Sequence, residues 1–160
     1  DFLLYWLHRW FHGKAMWRFH AIHHSSPQVD WFSTYRFHPV NSWLAFTLVD
    51  TLMLLAGFSP ACAAGLAGFN MLYSGMVHAN LNWTFGPFKY LFASPVFHRW
   101  HHTSPSEGGD KNFAPTLPLL DVMFGTFYMP EGRLPEHYGV FGGKPIPDSF
   151  AGQMIYPFGK

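Results

Sequence analysis

Large apolar residues recur at the spacing of a helix face over the first part of the chain. Five of them lie within the first eleven positions: Leu3, Leu4, Leu7, Trp10 and Phe11. Such a repeat is typical of an amphipathic α-helix. Because Pro27 disfavours helical geometry at the residue before it, the pattern predicts one helix over residues 1–26. The polar and aromatic residues 25–41 predict an irregular connection at a membrane interface.

Two long apolar runs follow and predict a helical hairpin over about residues 43–77. The first, residues 43–57, carries a single charge at Asp50, and the second begins after a break at Ser59 and Pro60. Each run has roughly 17 residues, the short end of the range of about 17–25 that crosses a bilayer core. The hairpin is therefore predicted to be transmembrane or re-entrant. A hairpin buried inside a soluble α-helical protein is the alternative.

The rest of the chain contains shorter elements and no strand-rich segment. Residues 91–104 predict a helix with Pro95 near its first turn, residues 117–128 form a short apolar segment, and residues 130–160 form a tail rich in Pro and Gly. The predicted fold class is all-α, an integral membrane helical bundle with a histidine-rich cap. The length fits one domain over residues 1–160. Because the sequence opens within an apolar, aromatic phrase, we expect further elements upstream.

Composition narrows the class of protein. Charged residues make up 12% of the chain and aromatic residues 20%, whereas a soluble domain usually carries about 25% charged residues. This balance is typical of a protein that faces lipid over part of its surface. The net charge of +1 argues against a nucleic-acid partner, which would need a clustered basic face. The single cysteine, Cys62, excludes an internal disulfide and a four-thiolate cluster, and its apolar neighbours predict a buried position.

The histidines form the strongest pattern in the sequence. Eleven are present, and eight fall into three groups at helical spacing: His8 and His12; His20, His23 and His24; His98, His101 and His102. The last two groups repeat the phrase Phe-His-x-x-His-His. Residues three and four apart lie on one face of a helix, so each group is predicted to point its imidazoles the same way. His137, in the tail, is predicted to be a solvated surface residue.

Metal binding explains so many histidines better than burial alone. A polar group buried without a partner costs roughly 1–3 kcal/mol. A metal takes one ring nitrogen of each imidazole, and a carboxylate or carbonyl can take the other. Eight ligands exceed what one ion can use, so the pattern predicts two ions. Imidazole alone does not choose between zinc, iron, copper and nickel.

Three histidine motifs in this order around an apolar hairpin resemble the fatty acid hydroxylase superfamily, also called the sterol desaturase family. The matching phrases are HRWFH, FHAIHH and FHRWHH, supported by DFLLYWLHR, YRFHP and DKNFAPTLPLLDVMFGTFYMP, and they cover residues 1–130. The resemblance implies an integral membrane enzyme of the bacterial inner membrane or endoplasmic reticulum, with further transmembrane helices upstream and a metal site on the cytoplasmic side. It also implies two iron ions, O2 and an external electron donor, used to hydroxylate or desaturate a fatty acyl chain, a sterol or a related lipid.

The same resemblance implies a ligand set, matched residue by residue to the family motifs. The implied ligands are His8, His12, His20, His23, His24, His78, His98, His101 and His102. A tenth position is left open between His38, Asn82 acting through a water molecule, and no ligand, and His38 suits a structural role equally well. Asp121 and Asp1 are candidate carboxylates for orienting a ligand imidazole. Asp121 could instead cap a helix or pair with an arginine.

Two other functions also use histidine-rich sites. A metal transporter places its ligands inside transmembrane spans, whereas the eight grouped histidines lie outside the two apolar runs. A zinc hydrolase would use a similar imidazole shell to activate water, and spacing alone does not separate it. It needs no O2 and no electron donor, so metal identity and redox dependence distinguish it from a lipid oxidase.

Overall fold

The computed structural model describes residues 1–159, and its regular secondary structure is helical. Its seven α-helices are α1 (Phe2–Phe11), α2 (Lys14–His24), α3 (Pro39–Leu55), α4 (Pro60–His78), α5 (Pro95–His101), α6 (Leu119–Met123) and α7 (Phe150–Ile155). Three short 3-10 helices cover Ser33–Tyr35, Gly86–Tyr90 and Tyr156–Phe158. No strand forms within these 159 residues, and the one extended pairing is an isolated bridge between Thr103 and Tyr138. The all-α prediction is confirmed.

The predicted helix over residues 1–26 is wrong in one respect, because Gly13 breaks it into α1 and α2. Gly13 has an extended backbone (φ −69°, ψ 150°) and forms the N-cap of α2. A Cβ atom there would lie 3.0 Å from the carbonyl oxygen of Trp10. On one straight helix, His8 and His20 would be separated by about 18 Å. With the break, their Nε2 atoms lie 3.2 Å apart.

The predicted hairpin is present as α3 and α4, and both helices begin in the same way. Each has a proline in its first turn, behind a capping side chain. Nδ1 of His38 accepts from the amide of Val40, and Oγ of Ser59 accepts from the amide of Cys62. Proline suits this position because the first amides of a helix have no partner within it. Among the helices described, none has both the length and the apolar character needed to cross a membrane.

Most large apolar side chains of the hairpin are exposed. Leu55 exposes 79% and Leu72 74% of its surface, and the other exposed residues include Trp43, Phe46, Leu48, Leu52, Leu54, Leu66, Phe69 and Met71. Cys62 is exposed too, so the prediction that it is buried is wrong. It lies in the first turn of α4, where Ala63 is the buried residue.

The buried interior is only partly apolar. Its apolar part is divided among three small clusters: Tyr5, Phe113 and Ala114; Phe11, Met16 and Phe19; Val77, Ala93 and Phe97. Eight histidines are also buried, seven of them from the motifs or from the end of α4. Imidazole rings therefore occupy space that a helical protein normally fills with aliphatic side chains.

Helix α5 is shorter than the helix predicted over residues 91–104. Ser94 caps it, with Oγ accepting from the amide of Phe97, and Pro95 follows at the first turn. All seven residues of α5 are buried. This short helix therefore delivers the third histidine motif into the interior and ends at His101, with His102 as its C-cap.

Candidate metal centre

Nine histidines converge in the interior and form two groups. The five-histidine cluster consists of His8, His12, His20, His24 and His101. The four-histidine cluster consists of His23, His78, His98 and His102. Within each cluster, one ring nitrogen of every member lies within 4.8 Å of the corresponding nitrogen of every other member. The structure thus brings together all nine residues that the sequence motifs imply as ligands.

Each repeated motif is divided between the two clusters. In α2, the first and last histidines join the five-histidine cluster and the middle one, His23, joins the four-histidine cluster. In the α5 motif the assignment is reversed, and only the middle one, His101, joins the five-histidine cluster. A step of three residues and a step of four turn a side chain in opposite senses, by about 60° and about 40°. The expectation that a group points all its imidazoles the same way is therefore corrected for the two repeated motifs, each of which bridges the clusters, whereas His8 and His12 both join the five-histidine cluster.

The facing atoms of the five-histidine cluster are Nε2 nitrogens. Nε2 of His8 lies 3.2 Å from Nε2 of His20, and Nε2 of His12 lies 3.2 Å from Nε2 of His101. Metal–imidazole bonds of about 2.1 Å place neighbouring ligand nitrogens about 3.0–3.4 Å apart. Nε2 of His24 is buried and has no hydrogen-bond partner in the part of the chain described. The spacing and this unsatisfied nitrogen both fit a bound metal ion.

Hydrogen bonds on the outer side of the rings determine the tautomers in this cluster. Three Nδ1 atoms donate to oxygen: His8 to the carbonyl of Phe113 at 2.8 Å, His101 to the carbonyl of Lys111 at 2.7 Å, and His12 to the carboxylate of Asp110 at 2.7 Å. Because these oxygens can only accept, each Nδ1 carries the proton and each Nε2 presents a lone pair when the ring is neutral. His12 and His101 therefore face each other with two lone pairs 3.2 Å apart. A cation between them would turn this repulsion into attraction.

Burial keeps these rings neutral. It is the main cause that lowers the pKa of His8 to about 3, with repulsion from neighbouring histidines adding to it. The same causes hold the pKa of six others well below 6.5: His20, His23, His24, His98, His101 and His102. The pKa of His12 is also lowered by burial, although Asp110 offsets part of the shift. Neutral imidazole is the form that binds a metal.

The four-histidine cluster is equally close-packed but has fewer outer partners. Its Nε2–Nε2 contacts measure 3.0–3.2 Å. Nδ1 of His78 donates to the carbonyl of Ser74 at 2.7 Å and lies 2.7 Å from Oγ1 of Thr34. Nδ1 of each of the other three members is buried without a hydrogen-bond partner among the described residues. The ring of His23 instead stacks on Phe37, with centroids 4.1 Å apart and planes 9° apart.

The two candidates for a tenth ligand lie outside both clusters. Both ring nitrogens of His38 are occupied, because Nδ1 caps α3 and Nε2 lies 3.3 Å from the carbonyl of Met154. Oδ1 of Asn82 accepts from the guanidinium of Arg99 at 3.1 Å. The contacts of His38 match the structural role, and those of Asn82 tie it to α5 rather than to a metal.

Within residues 1–159, the Asp121 carboxylate forms no hydrogen bond or ion pair with an imidazole or an arginine. Its carboxylate accepts from the amides of Phe113 and Ala114 and from Oγ1 of Thr126, at 2.7, 2.9 and 2.7 Å. Because the carbonyl of Phe113 accepts from His8, Asp121 acts on the five-histidine cluster through the backbone. The predicted role of orienting a ligand directly is therefore corrected to an indirect one.

Asp1 also lies away from the histidines, and two polar residues beside the five-histidine cluster were not predicted from the sequence. The Asp1 carboxylate accepts from the amide of Leu117 and touches no histidine. Asp110 holds His12, and the buried amide of Asn41 lies 3.4 Å from Nδ1 of His20. The one sequence signal for Asp110 is its position in the DKNFAP phrase, between a Gly-rich loop and an apolar segment.

Comparisons with known proteins find related sequences. A sequence model described as fatty acid hydroxylase matches residues 1–126. An ornithine lipid hydroxylase from Rhizobium tropici is 29% identical over 100% of this chain and 48% of its own length. An alkylglycerol monooxygenase from Homo sapiens is 32% identical over 79% of the chain and 28% of its own length. A Delta(7)-sterol 5(6)-desaturase from Gibberella zeae is 26% identical over 82% and 36%.

The chain spans about half, or less, of the length of these relatives, and no solved structure matches it. The matched region contains all three histidine motifs, the hairpin and both clusters. The resemblance seen in the sequence motifs is therefore confirmed, and the chain belongs to the fatty acid hydroxylase family.

Proposed function

We propose that this chain binds one iron ion in each histidine cluster and uses O2, with electrons from an external donor, to hydroxylate or desaturate a membrane lipid. The observation that carries the proposal is the pair of clusters in which neutral imidazoles face one another through Nε2 atoms 3.0–3.2 Å apart. Relatives named as a lipid hydroxylase, a monooxygenase and a sterol desaturase support the oxidative chemistry.

Different residues of the chain would bind the two ions and exclude water from them. Nine imidazoles would hold the two ions, and iron would supply the O2 chemistry that breaks a C–H bond, which no side chain can do. Aromatic rings line the clusters and exclude water: Phe113 lies 5.1 Å from His12 between ring centroids, and Phe37 stacks on His23. A dry surround protects a reactive oxidant from side reactions.

The hairpin supports a lipid substrate and attachment to a membrane. Helix α4 presents Leu72 to the outside and ends at His78, a member of the four-histidine cluster. An apolar cleft of about 390 Å³ lies beside this end of α4, lined by Tyr73, Met76, Phe85, Phe88 and Phe92. We propose that a lipid chain approaches the centre along this side. The expected location is the bacterial inner membrane or the endoplasmic reticulum, with the centre facing the cytoplasm.

Metal content and lipid products test the proposal. We expect about two iron ions per chain in the full-length protein purified in detergent, measured by elemental mass spectrometry. His101→Ala and His23→Ala each remove one member of a different cluster, so each variant should lose iron and O2-dependent lipid oxidation. His137→Ala is the matched control, because its exposed imidazole lies outside both clusters.

Three outcomes contradict the proposal in distinct ways. Stoichiometric zinc in iron-replete protein, with no O2-dependent change in lipids, would favour the zinc hydrolase. Less than half an equivalent of any metal would contradict the ligand assignment. Iron that stays bound in both cluster variants would show that the ions sit elsewhere.

A further inference from the structure

One short loop supplies most of the outer hydrogen bonds of the five-histidine cluster. Within Asp110–Phe113, a side chain and two backbone carbonyls each accept from Nδ1 of a different histidine: Asp110 from His12, Lys111 from His101, and Phe113 from His8. The three imidazoles come from α1, its C-cap and α5. A single segment of four residues therefore orients ligands that belong to two separate helices.

The backbone of this loop has an uncommon alternation. Asp110 and Asn112 both have φ of 57°, in the left-handed region, while Lys111 between them does not. Asp and Asn are the non-glycine residues that adopt this conformation most readily. The alternation allows the carbonyls at 111 and 113 and the carboxylate at 110 to face the same cluster.

Buried contacts hold the loop in that conformation. Nδ2 of Asn112 donates to the carbonyls of Phe97 and Tyr128 at 2.8 and 2.7 Å, and Oδ1 accepts from the amide of Tyr128 at 2.7 Å. Asp121 binds the amide of Phe113 at the other end. The exception is Asp110, which exposes 58% of its side chain. Its carboxylate can be changed without opening the interior.

The four-histidine cluster has no comparable support within residues 1–159. None of its members donates to a carboxylate: Nδ1 of His78 donates to the carbonyl of Ser74 and lies 2.7 Å from Oγ1 of Thr34, and the other three Nδ1 atoms have no hydrogen-bond partner among these residues. A carboxylate that accepts from a ligand imidazole orients the ring and raises its basicity, and its loss typically costs 10–100-fold in metal affinity. The two clusters therefore differ in the hydrogen-bond acceptors that orient their ligand imidazoles.

We propose that Asp110–Phe113 is a positioning loop of the five-histidine cluster, and that Asp110 is its charged positioning residue, so that this cluster holds its metal more tightly than the four-histidine cluster. The inference rests on the proposed function, because it requires a metal in each cluster. The five-histidine cluster then has the higher metal affinity of the two sites, and the carboxylate of Asp110 contributes to that difference.

Metal titration of Asp110 variants tests the inference without reference to activity. Asp110→Gly removes the carboxylate and tolerates the positive φ, and Asp110→Asn keeps an acceptor while removing the charge. Bound Fe2+ per full-length chain is measured against graded free Fe2+ without oxygen, together with the thermal midpoint of the metal-free protein. Glu107→Gln is the matched control, since Glu107 faces the exposed His137 at 3.4 Å rather than a cluster.

We expect two binding steps in the wild type, the tighter one shifted 10–100-fold to higher free Fe2+ by Asp110→Gly and less by Asp110→Asn. The weaker step and the Glu107→Gln curve should not move, and the metal-free midpoints measure separately any stability lost with the hydrogen bond between Asp110 and His12. A wild type that binds two ions with curves unaffected by Asp110→Gly would overturn the inference alone. A shift of the weaker step instead of the tighter one would overturn it as well. A wild type that binds no metal would overturn the proposed function and, with it, this inference.

Discussion

The metal centre and the α3–α4 hairpin invert the usual distribution of polar and apolar groups. At the centre, seven imidazoles from three helices and one helix end are almost fully buried. On the hairpin, Leu55 and Leu72 expose 79% and 74% of their surfaces. Soluble domains bury aliphatic side chains and rarely bury several titratable rings together. Under the proposed function, a cation would offset the facing lone pairs of the centre, and an apolar phase would cover the exposed side chains of the hairpin.

Two histidines at the ends of the hairpin helices, His38 and His78, have different surroundings although both are buried. Both ring nitrogens of His38 form hydrogen bonds with the backbone. The ring of His78 turns Nε2 toward His23 and His98. Burial of a histidine therefore says nothing of its role until the atoms it faces are known.

Removing His78 should produce the largest effect, a loss of iron from the four-histidine cluster. His78→Ala deletes the nitrogen that contacts two other members of the four-histidine cluster. We expect iron to fall from about two to about one per chain and O2-dependent lipid oxidation to drop below detection. His38→Ala should keep both ions and lose about 1 kcal/mol of stability through the lost cap. Equal iron content in the two variants would contradict this division of roles.

Much of this site could be predicted because it depends on local spacing. The i, i+3, i+4 pattern in FHAIHH and FHRWHH places three histidines within one turn of each helix. His78 could be placed only through the family resemblance, since it stands alone in its segment. The starts of α3 and α4 follow from Pro39 and Pro60 with their capping neighbours.

The parts that could not be predicted depend on contacts between distant residues. Asp110 lies 98 positions from His12 in the chain, so no local pattern pairs them. Gly13 gives a tight backbone turn, yet the apolar periodicity continues across it and hides the break. The division of each motif between clusters follows from how α2 and α5 face each other, which spacing along one helix does not contain.

Acidification should have the next largest effect, because the centre is built from neutral rings. In the unfolded chain a histidine titrates near pH 6.5, whereas burial lowers the pKa of His8 to about 3 in the fold. The unfolded state therefore binds more protons below about pH 6.5, and stability falls as the pH falls. At about pH 5.5 His8 alone should contribute about 1.4 kcal/mol of destabilisation, and the other buried histidines of the clusters act in the same direction. Urea unfolding of the metal-free protein at pH 7.5 and 5.5 measures the difference.

The metal-loaded protein should show a larger loss over the same range, since protons and metal compete for Nε2. Leu72→Ser is a suitable control because it changes no titratable group and should leave the pH dependence unaltered. A metal-free protein of equal stability at both values would contradict the assignment of neutral rings to the folded state.

Asp121→Asn should lower the free energy of unfolding moderately. Asp121 accepts from the amide of Phe113, and the carbonyl of Phe113 accepts from His8. One amide hydrogen of the new side chain must face a donor, because both carboxylate oxygens accept in the wild type. Lost hydrogen bonds to a charged group contribute about 1.5–3 kcal/mol, so we expect a loss of about 3 kcal/mol in urea unfolding. Asp148→Asn, at an exposed position, should stay within about 0.5 kcal/mol of the wild type. Similar stabilities for the two variants would show that Asp121 does not order the loop.

The smallest effect on stability should come from the hairpin surface, where the double variant Leu55→Ser/Leu72→Ser tests whether the exposed apolar face contacts lipid. Both side chains are largely exposed, so free energies of unfolding should change by less than about 0.5 kcal/mol. Binding to phospholipid vesicles should weaken by roughly tenfold or more, because fully burying each leucine in an apolar phase contributes about 1.5–3 kcal/mol. Val77→Ser is the matched control on α4, the helix that carries Leu72: Val77 is buried, so the variant should lose about 2 kcal/mol of stability and keep vesicle binding. If the double variant binds vesicles as well as the wild type, the exposed face of the hairpin does not contact lipid, and its apolar residues must be covered in another way.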